Sequence, residues 1–164
     1  MIGLLLSMIG AIGLWWFGAP LWSSILLLLF GIAWFIWRAR LSTIDRIDRM
    51  DGREFELFLE DVFTALGYTV TVTPASRDFG ADLLLETPDG WLIAVQAKRY
   101  ERVVGLEAVQ QIAAAVPYYQ VHEGWVVTNS TFTDSAYELA APNQVRLIAR
   151  LELEELLKEA GYKR

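Results

Sequence analysis

Two apolar segments joined by the turn Pro88-Asp89-Gly90 constrain the fold of this chain more than any other feature. Side chains of a β-strand alternate between the two faces of a sheet with a period of two residues. Pairing about the turn centre gives three opposed pairs: Leu84 with Ala94, Leu83 with Val95, and Asp82 with Gln96. Lys98 then shares the face of Gln96. The sequence therefore predicts a β-hairpin whose open end carries an acid, an amide and an amine.

The segments around this hairpin predict one α/β domain. Apolar residues at helical spacing alternate with short apolar runs bounded by turn residues. We expect hairpin strands at 80–86 and 91–100, other strands at 68–73, 124–129 and 145–149, and helices at 55–66, 106–119, 133–141 and 151–160. The later strands alternate with helices, as parallel crossovers do. The predicted fold is a mixed central sheet with helices on both faces.

The first 37 residues carry no charged side chain, whereas all 34 charged side chains lie at or beyond Arg38. Two apolar runs, 2–17 and 21–37, flank the break Gly18-Ala19-Pro20. A membrane-spanning helix needs about 20 residues, with roughly 17 as the lower limit. Although the runs are short, we expect two hydrophobic transmembrane helices that form a hairpin over residues 1–37. A signal peptide is the competing interpretation, but the n-region has no Lys or Arg.

Four arginines follow the second run and suggest how the chain is oriented. They are Arg38, Arg40, Arg46 and Arg49. Since Lys and Arg near membrane ends stay on the cytoplasmic side, we expect a multi-pass protein of the inner (cytoplasmic) membrane whose C-terminal domain lies in the cytoplasm. The lipid membrane is then one partner. The predicted segments are the hairpin at 1–37, a helical linker at 38–51 and a folded domain at 52–160.

The charge of the domain limits how it can bind nucleic acid. From residue 41 onward there are 12 basic and 20 acidic side chains, a net charge of minus eight. Long-range attraction of DNA is therefore weak, and contact must come from a local basic patch. The candidates near the open end of the hairpin are Arg53, Arg77, Lys98, Arg99 and Arg102.

The groups at the open end of the hairpin suit cleavage of a phosphodiester. That reaction needs a hard cation, a polarised water and a positive charge near that water. Mg²⁺ prefers oxygen ligands, so Asp82 and Gln96 are candidate metal ligands. Lys98 is the candidate that orients or deprotonates the attacking water.

Two further residues are candidates for supporting this site. Glu56 borders the apolar stripe of the first domain helix and could supply a second metal-binding carboxylate. A solvated helix carboxylate is an equally good interpretation of Glu56. Gln110 follows the second hairpin strand and could meet a phosphate or Lys98, although a solvated amide is the more common state of such a residue.

Five segments of the domain carry a family resemblance. They are Gly52-Arg53-Glu54-Phe55-Glu56, Gly67-Tyr68-Thr69-Val70, Ser76-Arg77-Asp78-Phe79-Gly80-Ala81-Asp82, Val95-Gln96-Ala97-Lys98-Arg99-Tyr100, and Val127-Thr128-Asn129 followed by Phe132-Thr133. On these segments the domain resembles the Mrr-type restriction endonucleases of the PD-(D/E)xK superfamily, from about Gly52 to Leu157. The resemblance implies a restriction-endonuclease-like fold and an endonuclease dependent on Mg²⁺, with Mn²⁺ as an alternative. It also implies that Asp82, Gln96 and Lys98 occupy catalytic positions.

The resulting prediction is a membrane-tethered, Mg²⁺-dependent DNA endonuclease that hydrolyses phosphodiester bonds of modified or foreign DNA. Arg77, Arg99 and Arg102 are its predicted DNA-binding residues, and residues 128–131 are expected to touch the DNA backbone. The alternative is a membrane-anchored module that binds DNA or another partner without cleavage, which the neutral Gln96 favours. A membrane scaffold with a decayed nuclease domain ranks third, and a homodimer is left open.

Overall fold

The computed structural model describes residues 21–39, 42–74 and 79–162. The chain divides into two compact units, Met1–Leu41 and Ser42–Arg164. Helix α1 (Leu21–Ala39) is the described part of the first unit. Arg77 and the first apolar run of the predicted membrane hairpin lie outside the described residues.

The prediction of a multi-pass inner-membrane protein is wrong. Among the described residues, no helix combines the length and apolar character needed to cross a membrane. With 19 residues, α1 is about 28 Å long at 1.5 Å per residue, against a hydrocarbon core of about 30 Å. Its sequence also contains Ser23 and Ser24 near the start and Arg38 near the end, which shorten the apolar part further. The predicted lipid membrane partner depended on the same prediction and is therefore also unsupported.

Two capped helices begin the second unit. Helix α2 (Thr43–Ile47) starts at Ser42, and helix α3 (Gly52–Ala65) starts at Asp51. In each case the side chain of the capping residue and the acid three positions later bind each other's backbone N–H. Such capping boxes satisfy donors that a helix start leaves unpaired. They fix where both helices begin.

Five strands form one sheet in the order β1-β2-β3-β4-β5. They are β1 (Thr69–Val72), β2 (Leu83–Glu86), β3 (Leu92–Lys98), β4 (Glu123–Thr128) and β5 (Val145–Ile148). The first three pair antiparallel and the last three pair parallel. This confirms the predicted mixed sheet.

The register of the hairpin is also as predicted. Leu83 pairs with Val95, and Leu84 pairs with Ala94. On the other side of β3, the parallel ladder to β4 ends at the pair Lys98 and Thr128. Asp82 therefore lies one residue before β2, at the end of the sheet where β3 stops.

Helices cover both faces of the sheet, as predicted. Helix α3 and helix α6 (Arg150–Glu159) pack on one face, and helices α4 (Leu106–Tyr119) and α5 (Asp134–Ala140) pack on the other. The period of two divides the strand residues between two cores. Leu83, Leu85, Ile93, Val95 and Val127 belong to the first core, and Ala94, Val126 and Val145 belong to the second.

Candidate active site

Asp82 and Gln96 lie in contact at the open end of the hairpin. The backbone N–H of Asp82 donates to the carbonyl of Val95 at 2.8 Å, which continues the pairing one residue beyond β2. Asp82 Oδ2 accepts from the backbone N–H of Ala97 at 2.7 Å and from Gln96 Nε2 at 3.2 Å. Asp82 is 7% exposed and Gln96 is 3% exposed. The structure thus brings an acid and an amide together in a buried position.

Lys98 is the third member of this group. It is the last residue of β3 and lies two positions after Gln96, so both side chains leave the strand on the same face. Lys98 is half-buried, and its positive charge acts to lower the pKa of Asp82. We call Asp82, Gln96 and Lys98 the site end of the hairpin.

The pKa of Asp82 is raised above its ordinary value. Burial is the largest cause, because it penalises the charged form of a carboxyl group. The charge of Glu56 acts in the same direction, while the hydrogen bonds from Ala97 and Gln96 oppose it. Glu56 is therefore near enough to Asp82 for the two carboxylates to repel each other. A cation bound between them would relieve that repulsion.

Two buried side-chain atoms in the described part of the chain have no hydrogen-bond partner. They are Gln96 Oε1 and Arg99 Nε, three residues apart at the same end of β3. Buried polar groups are nearly always paired, so unpaired ones suggest an absent ligand. Oε1 is an acceptor suited to a cation, and Nε is a donor suited to an anion. A cation would satisfy Gln96 Oε1, and an anion would satisfy Arg99 Nε.

The side-chain atoms of Asp82 and Gln96 that could bind a metal ion are oxygens. Within the described ranges, no three His, Cys, Asp or Glu side chains gather as a metal site. The site end offers the carboxylate of Asp82 and the amide oxygen of Gln96, with Glu56 as a neighbouring carboxylate. Carboxylate and carbonyl oxygens suit Mg²⁺ and Mn²⁺, whereas zinc sites usually contain His or Cys.

The arginines differ in how available they are. Arg53 Nη1 donates to Glu56 Oε2 at 2.7 Å, so Arg53 is engaged beside the second carboxylate. The side chain of Arg99 is only 20% exposed, and its Nη1 donates to the Asp48 carbonyl at 3.4 Å. Arg102 is exposed on the segment that follows β3.

Gln110 is not brought to the site end. It is exposed on α4, one residue after the buried Val109. At about 100° per residue, its side chain lies on the side of the helix opposite the buried stripe Ala108, Val109, Ile112 and Ala115. It therefore faces away from the sheet.

A polar cluster beside Lys98 was not indicated by the sequence patterns. Thr128 Oγ1 donates to the Lys98 carbonyl at 2.7 Å, and the Tyr100 N–H donates to Asn129 Oδ1 at 2.9 Å. Thr128 is fully buried and Asn129 is 5% exposed. These two side chains bind the chain's own backbone, and the expected contact of residues 128–131 with DNA stays a prediction. The polar pair directly after an apolar strand was the only local signal.

Known proteins resemble this chain in sequence and in fold. The family model described as a restriction endonuclease, Mrr_cat, matches residues 47–157. The uncharacterized protein y4cE of Sinorhizobium fredii (strain NBRC 101917 / NGR234) is 30% identical over 99 residues, which are 57% of this chain and 25% of that protein. The chain thus spans about a quarter of the length of this curated relative.

Two solved structures share the fold. The DNA modification-dependent restriction endonuclease AspBHI is 22% identical with a TM-score of 0.57, over 72% of this chain and 34% of that one. The MspJI restriction endonuclease, solved with a 27-mer oligonucleotide, is 20% identical with a TM-score of 0.55, over 74% and 32%. At these identities the likeness shows the fold alone.

Proposed function

The chain belongs to the restriction endonuclease family Mrr_cat, and from this premise we propose that it is a DNA endonuclease that hydrolyses phosphodiester bonds at the site end with a divalent metal ion. The nuclease domain in this proposal is residues 52–160. Modified or foreign DNA is the proposed substrate class, since the fold relative AspBHI is a modification-dependent restriction endonuclease.

The observation that carries the proposal is the unpartnered side-chain oxygen of Gln96 next to Asp82. Gln96 Nε2 donates to Asp82 Oδ2, which leaves Gln96 Oε1 as a buried acceptor without a partner among the described residues. Arg99 Nε is a buried donor in the same condition. Leaving such groups unpaired costs about 1 to 3 kcal/mol each. A cation bound at Gln96 Oε1 would remove the penalty there, and an anion at Arg99 Nε would remove the other.

Mg²⁺ or Mn²⁺ fits this donor set. Asp82 and Gln96 would hold the ion, and Glu56 would add a second carboxylate. When bound, the ion supplies a Lewis acid that neutralises charge developing on the phosphate. The unpaired amide oxygen and the raised pKa of Asp82 both favour a cation at this position.

The protein groups around the ion have separate roles in this proposal. The Ala97 N–H and Gln96 Nε2 fix the orientation of the Asp82 carboxylate. Lys98 lies on the face of Gln96, where its amine can orient the attacking water or take its proton. Arg99 Nε can donate to a phosphate oxygen, and Arg102 and Arg77 are proposed to contact the DNA backbone.

Cleavage of plasmid DNA by the purified full chain tests this function. We expect nicked and linear products with Mg²⁺ or Mn²⁺ and none with EDTA. Asp82→Ala should abolish them, whereas Asp61→Ala, which removes an exposed carboxylate of α3, should not. Methylated and unmethylated plasmids compared side by side test the substrate class. Intact DNA with the wild-type chain under every metal condition would contradict the proposal.

A non-catalytic DNA-binding module is the second candidate. It is favoured by the neutral Gln96 at the metal position and by the excess of acidic residues in the domain. Binding measurements with and without the metal distinguish the two functions. The binding module predicts equal DNA affinity in EDTA and in Mg²⁺, together with no heat of Mg²⁺ binding that depends on Asp82.

A further inference from the structure

Lys98 stands where the strand pairing of β3 stops. The parallel ladder between β3 and β4 ends at the pair Lys98 and Thr128, so the backbone that follows has no strand partner in it. Two side chains form hydrogen bonds to this backbone instead. Thr128 Oγ1 donates to the Lys98 carbonyl at 2.7 Å, and Asn129 Oδ1 accepts from the Tyr100 N–H at 2.9 Å. The backbone on the C-terminal side of Lys98 is therefore held by the side chains of the last residue of β4 and of the residue that follows it.

Asn129 is itself fixed by a closed set of hydrogen bonds. Its Nδ2 donates to Asp48 Oδ1 at 2.8 Å. Arg150 binds both oxygens of Asp48, with Nη1 to Oδ1 at 2.8 Å and Nη2 to Oδ2 at 2.9 Å. Arg150 Nη1 also donates to the Asn129 carbonyl at 2.9 Å. The side-chain oxygen and nitrogen of Asn129 are thus both engaged, which leaves one rotamer able to accept from Tyr100.

The charge of Asp48 supports this arrangement. Burial acts to raise its pKa, but the hydrogen bonds from Arg150 and Asn129 and the charges of Arg150 and Arg99 outweigh that effect and lower the pKa. Asp48 therefore stays ionised at neutral pH. A charged acceptor binds the Asn129 amide more strongly than a neutral one would.

We propose that Thr128 and Asn129 are positioning residues, and that Asp48 and Arg150 hold Asn129 in place. Thr128 and Asn129 fix the backbone of Lys98 and so direct its amine toward Asp82 and Gln96. The proposal rests on the nuclease function proposed above. A lysine side chain has a flexible four-carbon stem, so its amine is placed only as well as the backbone that carries it. A misplacement of about 1 Å in an active site can lower the rate by roughly a hundredfold.

Thr128 allows a nearly isosteric test. Thr128→Val keeps the buried shape and removes the hydroxyl that binds the Lys98 carbonyl, whereas Thr128→Ser keeps the hydroxyl. We expect Thr128→Val to lower kcat for plasmid cleavage by on the order of tenfold or more, with KM for DNA nearly unchanged. Thr128→Ser should restore most of kcat. Wild-type kcat in folded Thr128→Val overturns the proposal, as does a change confined to KM.

A matched control separates positioning from loss of stability. Thr133 caps helix α5, where its side chain accepts from the Ala136 N–H at 3.2 Å. Thr133→Ala removes this hydrogen bond and the one between the hydroxyls of Thr133 and Ser135 at 3.0 Å, without touching Lys98. Melting temperatures of both variants are measured beside kcat. If Thr133→Ala lowers kcat as much as Thr128→Val at a similar melting temperature, the effect is general and the proposal fails.

Amide hydrogen exchange tests the hydrogen bond itself, independently of cleavage. In Asn129→Ala the Tyr100 N–H loses its acceptor, and its exchange should accelerate by on the order of tenfold while amides of α3 stay protected. Unchanged exchange at Tyr100 overturns the proposal. Faster exchange with wild-type kcat overturns it too, because the bond would then be structural only. A wild-type chain that does not cleave DNA refutes the nuclease function and the positioning role with it, while the exchange result still shows whether the bond exists.

Discussion

The two ends of the hairpin differ in whether their polar groups find hydrogen-bond partners within the protein. At the end opposite the site end, which we call the turn end, Trp91, His122 and Glu123 pair among themselves. The Trp91 ring stacks on His122 at 4.1 Å, and its Nε1 donates to Glu123 Oε1 at 2.7 Å. His122 Nδ1 accepts from the Leu92 N–H at 2.9 Å. These groups are exposed or half-buried, and they satisfy one another without a ligand.

The site end is buried but incomplete. Of the two buried side-chain atoms that lack a partner in the described part of the chain, Gln96 Oε1 lies in the site end and Arg99 Nε belongs to the residue after Lys98. Two aspartates show the same difference. Burial raises the pKa of Asp82, whereas a hydrogen bond from Thr87 lowers the pKa of Asp89 at the turn end. One hairpin thus has polar groups that satisfy one another at its turn end and the proposed ligand-binding groups at its site end.

Replacing Lys98 should give the largest difference between the two ends. Lys98→Met keeps much of the apolar stem and removes the amine, and we expect kcat for DNA cleavage to fall by about 10² to 10⁴. Steady-state cleavage of a labelled duplex measures this. Lys158→Met, an exposed lysine of α6, is the matched control and should keep wild-type kcat. A loss below about threefold for Lys98→Met would show that this amine takes no part in the chemistry.

A charged ligand at position 96 should strengthen metal binding. Gln96→Glu replaces a neutral oxygen donor with a carboxylate, and we expect Mg²⁺ affinity to rise by roughly tenfold, about 1.4 kcal/mol. Isothermal titration calorimetry measures the change. Gln120→Glu adds the same charge at the exposed end of α4 and should leave the affinity unchanged. Equal gains in both variants would mean that net charge, and not contact with the ion, sets the affinity.

Removing the turn-end aromatic should affect stability and not catalysis. Trp91→Ala loses the stacking on His122 and the hydrogen bond to Glu123, so the free energy of unfolding should fall by about 1 to 2 kcal/mol. Urea denaturation measures it. Trp91→Phe keeps an aromatic ring but has no N–H donor, and it should recover about half of the lost stability. A fall in kcat of the folded Trp91→Ala protein would contradict the division between the two ends.

The smallest effect is the opposite pH dependence of the two aspartates. The folded pKa of Asp82 is raised, so its contribution to stability is present below the unfolded value of 3.8 and is lost as pH rises through the folded pKa. The folded pKa of Asp89 is lowered, so its contribution is present above 3.8 and is lost as pH falls through the folded pKa.

Thermal melts without metal at pH 7 and at pH 3 check these signs. At pH 7 Asp82→Asn should stabilise the protein and Asp89→Asn should destabilise it slightly. Both differences should shrink at pH 3. A destabilised Asp82→Asn at pH 7 would show that the Asp82 charge is already compensated in the protein alone.

Local patterns determined most of the fold. The alternation around Pro88-Asp89-Gly90 fixed the register of Leu83 with Val95 and Leu84 with Ala94, because a slip of one residue would turn every apolar side chain to the wrong face. The contact of Asp82 with Gln96 follows from the same register. The motif segments also predicted the family, since the match over residues 47–157 includes them.

Apolar composition alone was a poor guide to residues 21–37, the part of the apolar region that the structure describes. The charge-free runs suggested two membrane spans, but none of the described helices is long and apolar enough for one. Hydropathy reports how apolar a segment is, whereas spanning also requires sufficient unbroken length.

The sequence by itself determined the pairing and register of the two hairpin strands, because these depend on periodicity and on neighbours within about fifteen positions. Only the tertiary structure decided what surrounds Lys98. Asp48 and Arg150 are 102 positions apart, and Asn129 is 81 positions from Asp48, yet all three meet behind one strand end. No periodicity links such distant polar residues, since their contact depends on how helices α2 and α6 pack against the finished sheet.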